Sequence, residues 1–167
     1  MTRVTGPEAL NQCGASVAGR PIQVDVHAEQ DAQGRAFFWH EWRFENGPSQ
    51  GKGKIDVPRN APETAMHFHL HDHTNLGLKF LDLSEDCMWI STGACPTHKM
   101  NQGNQIVFRS KHSAPRLLTV HDLNEGNECT LKFALSFDGL PGRQADDPSR
   151  PCPPYRYDPE IKNGGST

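Results

Sequence analysis

The stretch Ala65-Met-His-Phe-His-Leu-His-Asp-His73 alternates without a break. Met66, Phe68 and Leu70 fall in one register and His67, His69, His71 and His73 in the other, a two-residue rhythm that an extended strand segregates onto two faces. Such a strand buries its apolar row against a second layer and turns a column of imidazoles away from it. A helix would scatter the same side chains around its axis, so the feature directs the chain towards sheet packed on sheet.

Other segments share the rhythm. Ile22, Val24 and Val26 alternate with Gln23, Asp25 and His27 as far as Glu29, and Asp31 to Gly34 has the composition of a hairpin turn. From Arg35 to Glu45, Phe38, His40, Trp42 and Phe44 share one face and Phe37, Trp39, Glu41 and Arg43 the other. Lys54 to Val57 is a short strand between proline-rich breaks, which suggests an edge. Leu78, Phe80 and Leu83 resume the alternation. Cys87–Ser91, Gln105–Lys111, Arg116–Leu123 and Glu128–Phe137 complete the set, with a loop over Thr92–Gly103.

Eight or nine short strands without crossover helices predict an all-β, antiparallel sandwich in a single domain, 1–167. Its parts are an irregular N-terminal arm over 1–19, the sandwich over 20–138 and a proline-rich C-terminal strap over 139–167. The expected inner residues are Val24, Val26, Phe38, Trp42, Phe68, Leu70, Phe80, Ile106, Phe108, Val120, Leu131, Phe133 and Leu135.

A formal net charge of −3, with no basic run, gives no electrostatic reason to bind nucleic acid. No apolar window is long enough to span a bilayer, and the first residues lack the apolar core of a secretion signal, so a cytoplasmic location is expected. The cysteines, Cys13, Cys87, Cys95, Cys129 and Cys152, are odd in number and form no Cys-x-x-Cys pair. Free thiols are expected. A Cys87–Cys95 bridge across a hairpin would need an oxidising compartment.

The stripe is the strongest candidate for chemistry. Histidines at i and i+2 on a strand stand about 6.6–6.8 Å apart along it and can direct two imidazoles at one cation. All four span about 20 Å, so they cannot share one mononuclear site. The candidate metal ligands are His67, His69, His71 and His73, with the central pair His69 and His71 first. A closing ligand would come from His98, His112, His121, Asp72 or Cys95, and zinc, copper or nickel would be the ion. The competing reading is a polar sheet face whose imidazoles hydrogen-bond to their surroundings. A row of such groups would begin to charge together near pH 6.

Cys95-Pro-Thr-His98-Lys-Met100 resembles the Cys/His/Met loop of cupredoxins, but its spacing is short and further strands follow it, so an exposed loop is expected. His67-Phe-His69 looks like the start of a cupin motif, yet Asp72-His73-Thr74-Asn75 replaces the expected glutamate and the second motif is missing. His40-Glu41 and His121-Asp122 are neighbours that face opposite ways, so neither is a dyad. His40 and His121 are expected in polar spots of the core.

The ending, Tyr157-Asp-Pro-Glu-Ile-Lys-Asn-Gly-Gly165, is similar to the C-terminal signature of the DP-EP family and of bacterial inclusion-body-like β-sandwich proteins. That resemblance implies an immunoglobulin-like sandwich of bacterial origin with no established reaction, and a tail docked through Tyr157, Asp158, Pro159 and Ile161. The expectation is a non-catalytic protein that binds a small molecule or protein, or forms a homo-oligomer through an edge strand or the strap. It would carry no cofactor. The alternative is a metalloprotein that uses the stripe.

Overall fold

The computed structural model describes residues 19–140 and 155–166. The expected N-terminal arm and the proline-rich part of the strap therefore lie almost wholly outside the described residues. The order is β1 (Ile22–Gln30), β2 (Ala36–Phe44), β3 (Ile55–Val57), β4 (Thr64–Asp72), β5 (Lys79–Phe80), the one-turn helix α1 (Ser84–Cys87), β6 (Met88–Ser91), β7 (Ile106–Val107), β8 (Leu117–Asp122), β9 (Cys129–Asp138), β10 (Tyr155–Tyr157) and β11 (Glu160–Asn163).

Two sheets form. The first is five-stranded in the order β2-β1-β4-β8-β7. The second is built around β9, which pairs with β10 and β11 along one edge and with β5 and β6 along the other, while β3 adds to β11. The all-β sandwich expected from the alternation is what forms. Its sheets are mixed rather than wholly antiparallel, because β1 runs parallel to β4 and β3 parallel to β11. Parallel neighbours require a crossover. Here the chain makes it by passing through β3 in the opposite sheet between β2 and β4.

The inner faces carry the apolar registers. Ile22, Val24, Val26 and Ala28 of β1 and Met66, Phe68 and Leu70 of β4 are buried, as are Leu131, Phe133, Leu135 and Phe137 of β9. Phe68 meets Phe133 edge-on at 5.7 Å, and Phe38 stacks on Phe137 at 5.1 Å, so aromatic contacts join the layers. Each buried side chain of this size stabilises the fold by about 1.5–3 kcal/mol before the cost of ordering it. Phe38 and Phe108, expected fully inside, are partly buried at the margin of this core.

Two local expectations need correction. Ser84–Cys87, between two stretches expected to be extended, is a helical turn whose Cys87 thiol donates to the carbonyls of Leu81 and Leu83. The end of the strap is not an external tie, because β10 and β11 are hydrogen-bonded strands of the second sheet. Cys87, Cys95 and Cys129 are free thiols, and burial pushes Cys87 up to about 11.

Candidate functional site

Alternation in the first sheet leaves one broad outer face. β2 presents Phe37, Trp39, Glu41 and Arg43; β1 presents Gln23, Asp25, His27 and Glu29; β4 presents His67, His69 and His71; and β8 presents Leu117, Thr119 and His121. The register sets these side by side. Asp25 is flanked by Glu41 and His69, and His27 by Trp39 and His71. His73, just past the end of β4, joins the same face through His27.

Each histidine of the stripe is tied to a neighbouring strand. His67 Nδ1 lies 2.9 Å from Thr119 Oγ1. His69 Nε2 lies 2.6 Å from Gln23 Oε1 and His71 Nε2 lies 2.8 Å from Asp25 Oδ1. Since an amide oxygen and a carboxylate oxygen can only accept, both rings donate from Nε2. His73 Nε2 and His27 Nδ1 are 3.1 Å apart, so one of that pair donates and the other accepts.

Asp25 links two strands. Its second oxygen accepts from Arg43 Nη1 at 2.5 Å. Burial alone would raise this carboxyl, but hydrogen bonds from His71 and Arg43, together with the Arg43 charge, outweigh burial and hold it below the usual carboxylate range. The imidazoles move the other way in charge preference. His27, His67 and His69 are all lowered, first by partial burial; positive neighbours add to this, His71 and His73 against His27 and His121 against His67. Near neutrality these rings are uncharged.

An aromatic stack continues the face towards β2. His27 lies against Trp39 with centroids 4.1 Å apart and planes 12° from parallel, and against His71 at 4.7 Å. The Trp39 indole N–H donates to Glu29 at 2.8 Å, and Lys52 Nζ sits 4.3 Å from the ring centroid. Phe37, on the same face, is 40 % exposed.

The other sequence-based candidates are placed elsewhere. His98 lies in the loop after β6, near Thr97, and His112 lies near Asp82 and bridges to Leu83. Neither is among the partners of His69 or His71. Asp72 faces the opposite way from the stripe, and its carboxylate accepts from Thr74 and from the Leu78 amide. His121 is not in the core: it stands on the outer face, 3.7 Å from Glu63. His40 is in the core as expected, 4 % exposed.

His27, Trp39, Gln23 and Asp25 belong to the site but were not singled out from the sequence. Their signal was available, since Gln23, Asp25 and His27 form the polar register of β1. What could not be read was that β1 is the neighbour of β4. Among the described residues no group of three or more His, Cys, Asp or Glu is arranged to hold a metal ion. The stacked His27 and His71 rings explain part of this: imidazole lone pairs lie in the ring plane, so parallel rings do not converge on one cation.

Comparison of the sequence with known protein families and with curated proteins finds no match. The geometry of the face is therefore what a functional reading has to rest on. Two shallow clefts lie away from it. One, of 360 Å³, is lined by Leu83, Glu85, Phe108, Arg109 and Lys111; the other, of 220 Å³, includes Phe80, Asp82 and Ser113. Arg109 is committed to Glu63 and the Ser113 hydroxyl to the Leu81 carbonyl. Neither cleft brings a nucleophile against a base.

Proposed function

We propose that the chain is a non-catalytic binding protein whose recognition surface is the outer face of the five-stranded sheet. One observation carries the reading: imidazoles, Trp39 and exposed Phe37 share a single face, and cross-strand hydrogen bonds hold the polar side chains in place. A surface ordered before contact loses less side-chain entropy on binding, and aromatic groups among polar ones are the composition that binding faces favour. Self-association is the occupant tested first, because β2 is an edge strand carrying Phe37. The tail resemblance fits this reading: Pro159 accepts from the Phe133 amide, Ile161 is buried, and Tyr157 bonds to His40. Family membership, bacterial origin and a cytoplasmic location belong to the same proposal.

Metal binding is the second reading, favoured by the approach of His27 Nδ1 and His73 Nε2 to 3.1 Å. The two rings lie 7° from parallel, so each must turn before its lone pair meets one ion. Zinc, copper or nickel would take its remaining ligands from water. Both readings are tested together by sedimentation velocity, with and without equimolar zinc, on the natural chain, on Phe37→Ser and on the double variant His27→Ala, His73→Ala. Concentration-dependent association lost in Phe37→Ser supports the binding face. Stoichiometric zinc lost in the double variant supports the metal site instead. A monomer that takes up no zinc at any concentration overturns self-association and metal binding alike.

A further inference from the structure

The apolar register of β8 runs Leu118, Val120 and then Asp122, so a carboxyl occupies a position that the alternation assigns to the core. Asp122 is 0 % exposed. Its Oδ1 accepts from the Asn124 backbone N–H and from Asn163 Nδ2, each at 2.9 Å. Among the described residues its Oδ2 has no partner, and neither does the buried Asn163 Oδ1. Two acceptors thus go unanswered on two side chains that are already bonded to each other.

The cluster ties three parts of the chain together. Asn124 stands in the left-handed region, with φ 51°. From there its Nδ2 donates to the carbonyls of Pro58 and Ala61, at 2.9 and 3.0 Å, while its Oδ1 accepts from the Gly165 amide at 3.0 Å. Asn163 belongs to β11, which lies between β9 and β3. The end of β8, the turn after β3 and the C-terminal tail therefore meet at Asp122.

We infer that Asp122 is a neutral carboxylic acid paired with the Asn163 carboxamide, and that this proton latches the C-terminal strand into the second sheet. An acid and an amide form a two-bonded ring: the amide N–H donates to one carboxyl oxygen, and the O–H on the other oxygen donates back to the amide carbonyl. One proton on Oδ2 then satisfies both orphan acceptors, and ionisation removes that donor. Burial is the leading influence on this carboxyl and pushes it up to about 6, against the opposing hydrogen bonds from Asn124 and Asn163.

The neighbouring groups leave the proton as the main charge carrier there. Thr64 of β4 and Ile106 of β7 stand opposite Asp122 in register, and neither titrates. Cys129 of β9 is raised first by burial and then by Asp122 itself. Lys162 of β11 pairs with Glu128, Lys132 of β9 with Glu160, and His121 turns to Glu63. Because the folded value of about 6 exceeds the unfolded value of about 3.9, this group's stabilisation is complete below about pH 4 and is lost as pH rises through 6. The loss amounts to about a hundredfold in the folding equilibrium.

Asp122→Asn tests the assignment, since an asparagine side chain reproduces the donor and acceptor of the neutral acid at every pH. Thermal unfolding of the natural chain and the variant between pH 4.5 and 8 is expected to show the natural chain losing ground steadily up to about pH 7, then no further. Taking the difference of the two curves cancels the histidine contributions, which run the opposite way. The Asp122 side-chain carbon should titrate near pH 6 by NMR, and the Gly164 and Gly165 amides should lose protection across the same range. Two parallel stability curves, or a carboxyl already ionised at pH 4.5, would overturn the latch. If the variant does not fold, the carboxyl titration of the natural chain decides by itself.

Discussion

His40 illustrates how one buried imidazole is fixed by its partners. Its Nε2 lies 2.9 Å from the Gly53 carbonyl, which can only accept, so Nε2 carries the proton. Its Nδ1, 2.6 Å from the Tyr157 hydroxyl, is then the acceptor. Burial lowers His40, and burial also pushes the Tyr157 phenol up to about 12, so both groups stay neutral over the physiological range. The bond joins the edge strand β2 to β10. Replacing Tyr157 by Phe strands the His40 lone pair, and urea unfolding should show a loss of about 1–2 kcal/mol. An unchanged midpoint would mean the hydroxyl contributes nothing. The sequence marked His40 as a core residue from its phase among Phe38 and Trp42. Its partner, over a hundred residues away in a segment expected to be an external strap, was not legible, because no local pattern encodes which distant hydroxyl fills a core gap.

At the scale of strands, the pairing of β1 with β4 decides what the histidine stripe is. With Gln23, Asp25 and His27 in register beside His67, His69 and His71, the imidazoles become cross-strand hydrogen-bond partners. The pH consequence has a definite sign. His27, His67 and His69 are lowered on folding, so the unfolded chain takes up protons first as pH falls below about 6.5. Their contribution is fully present above that value and is lost as pH falls through the folded values. Replacing His67 and His69 by Gln, which keeps a neutral hydrogen-bonding group, should flatten the acid limb of a denaturant-midpoint profile between pH 6.5 and 5. A limb as steep as that of the natural chain would place the acid sensitivity elsewhere. The alternation that put the imidazoles on one face was plain in the sequence. The parallel neighbour that supplies their partners was not, since the period of a strand specifies its faces and not the strand beside it.

For the molecule as a whole, the second sheet depends on its C-terminal end. β11 is inserted between β9 and β3, and the strand pairing of β3 runs through β11, with Ile161 opposite Ile55 and Asn163 opposite Val57. Tyr155 and Ile161 are both 0 % exposed. A chain ending at Leu140 would lose β10 and β11, expose one edge of β9 and open the core over Ile55, Val57 and Leu131. Calorimetry of that truncated chain should show no cooperative transition, whereas a docked strap would leave one at a lower temperature. By itself, the residue pattern determined that the chain makes two-faced strands, which side chains line the core, and that imidazoles form a column on one outer surface; each is a local consequence of side chains alternating about an extended backbone. Only the tertiary structure decided that the sheets are mixed, that a tail rich in turn residues ends as an interior strand, and that Asp122 meets Asn163. These depend on contacts between residues far apart in the chain, where packing and the need to satisfy buried polar groups outweigh local preference.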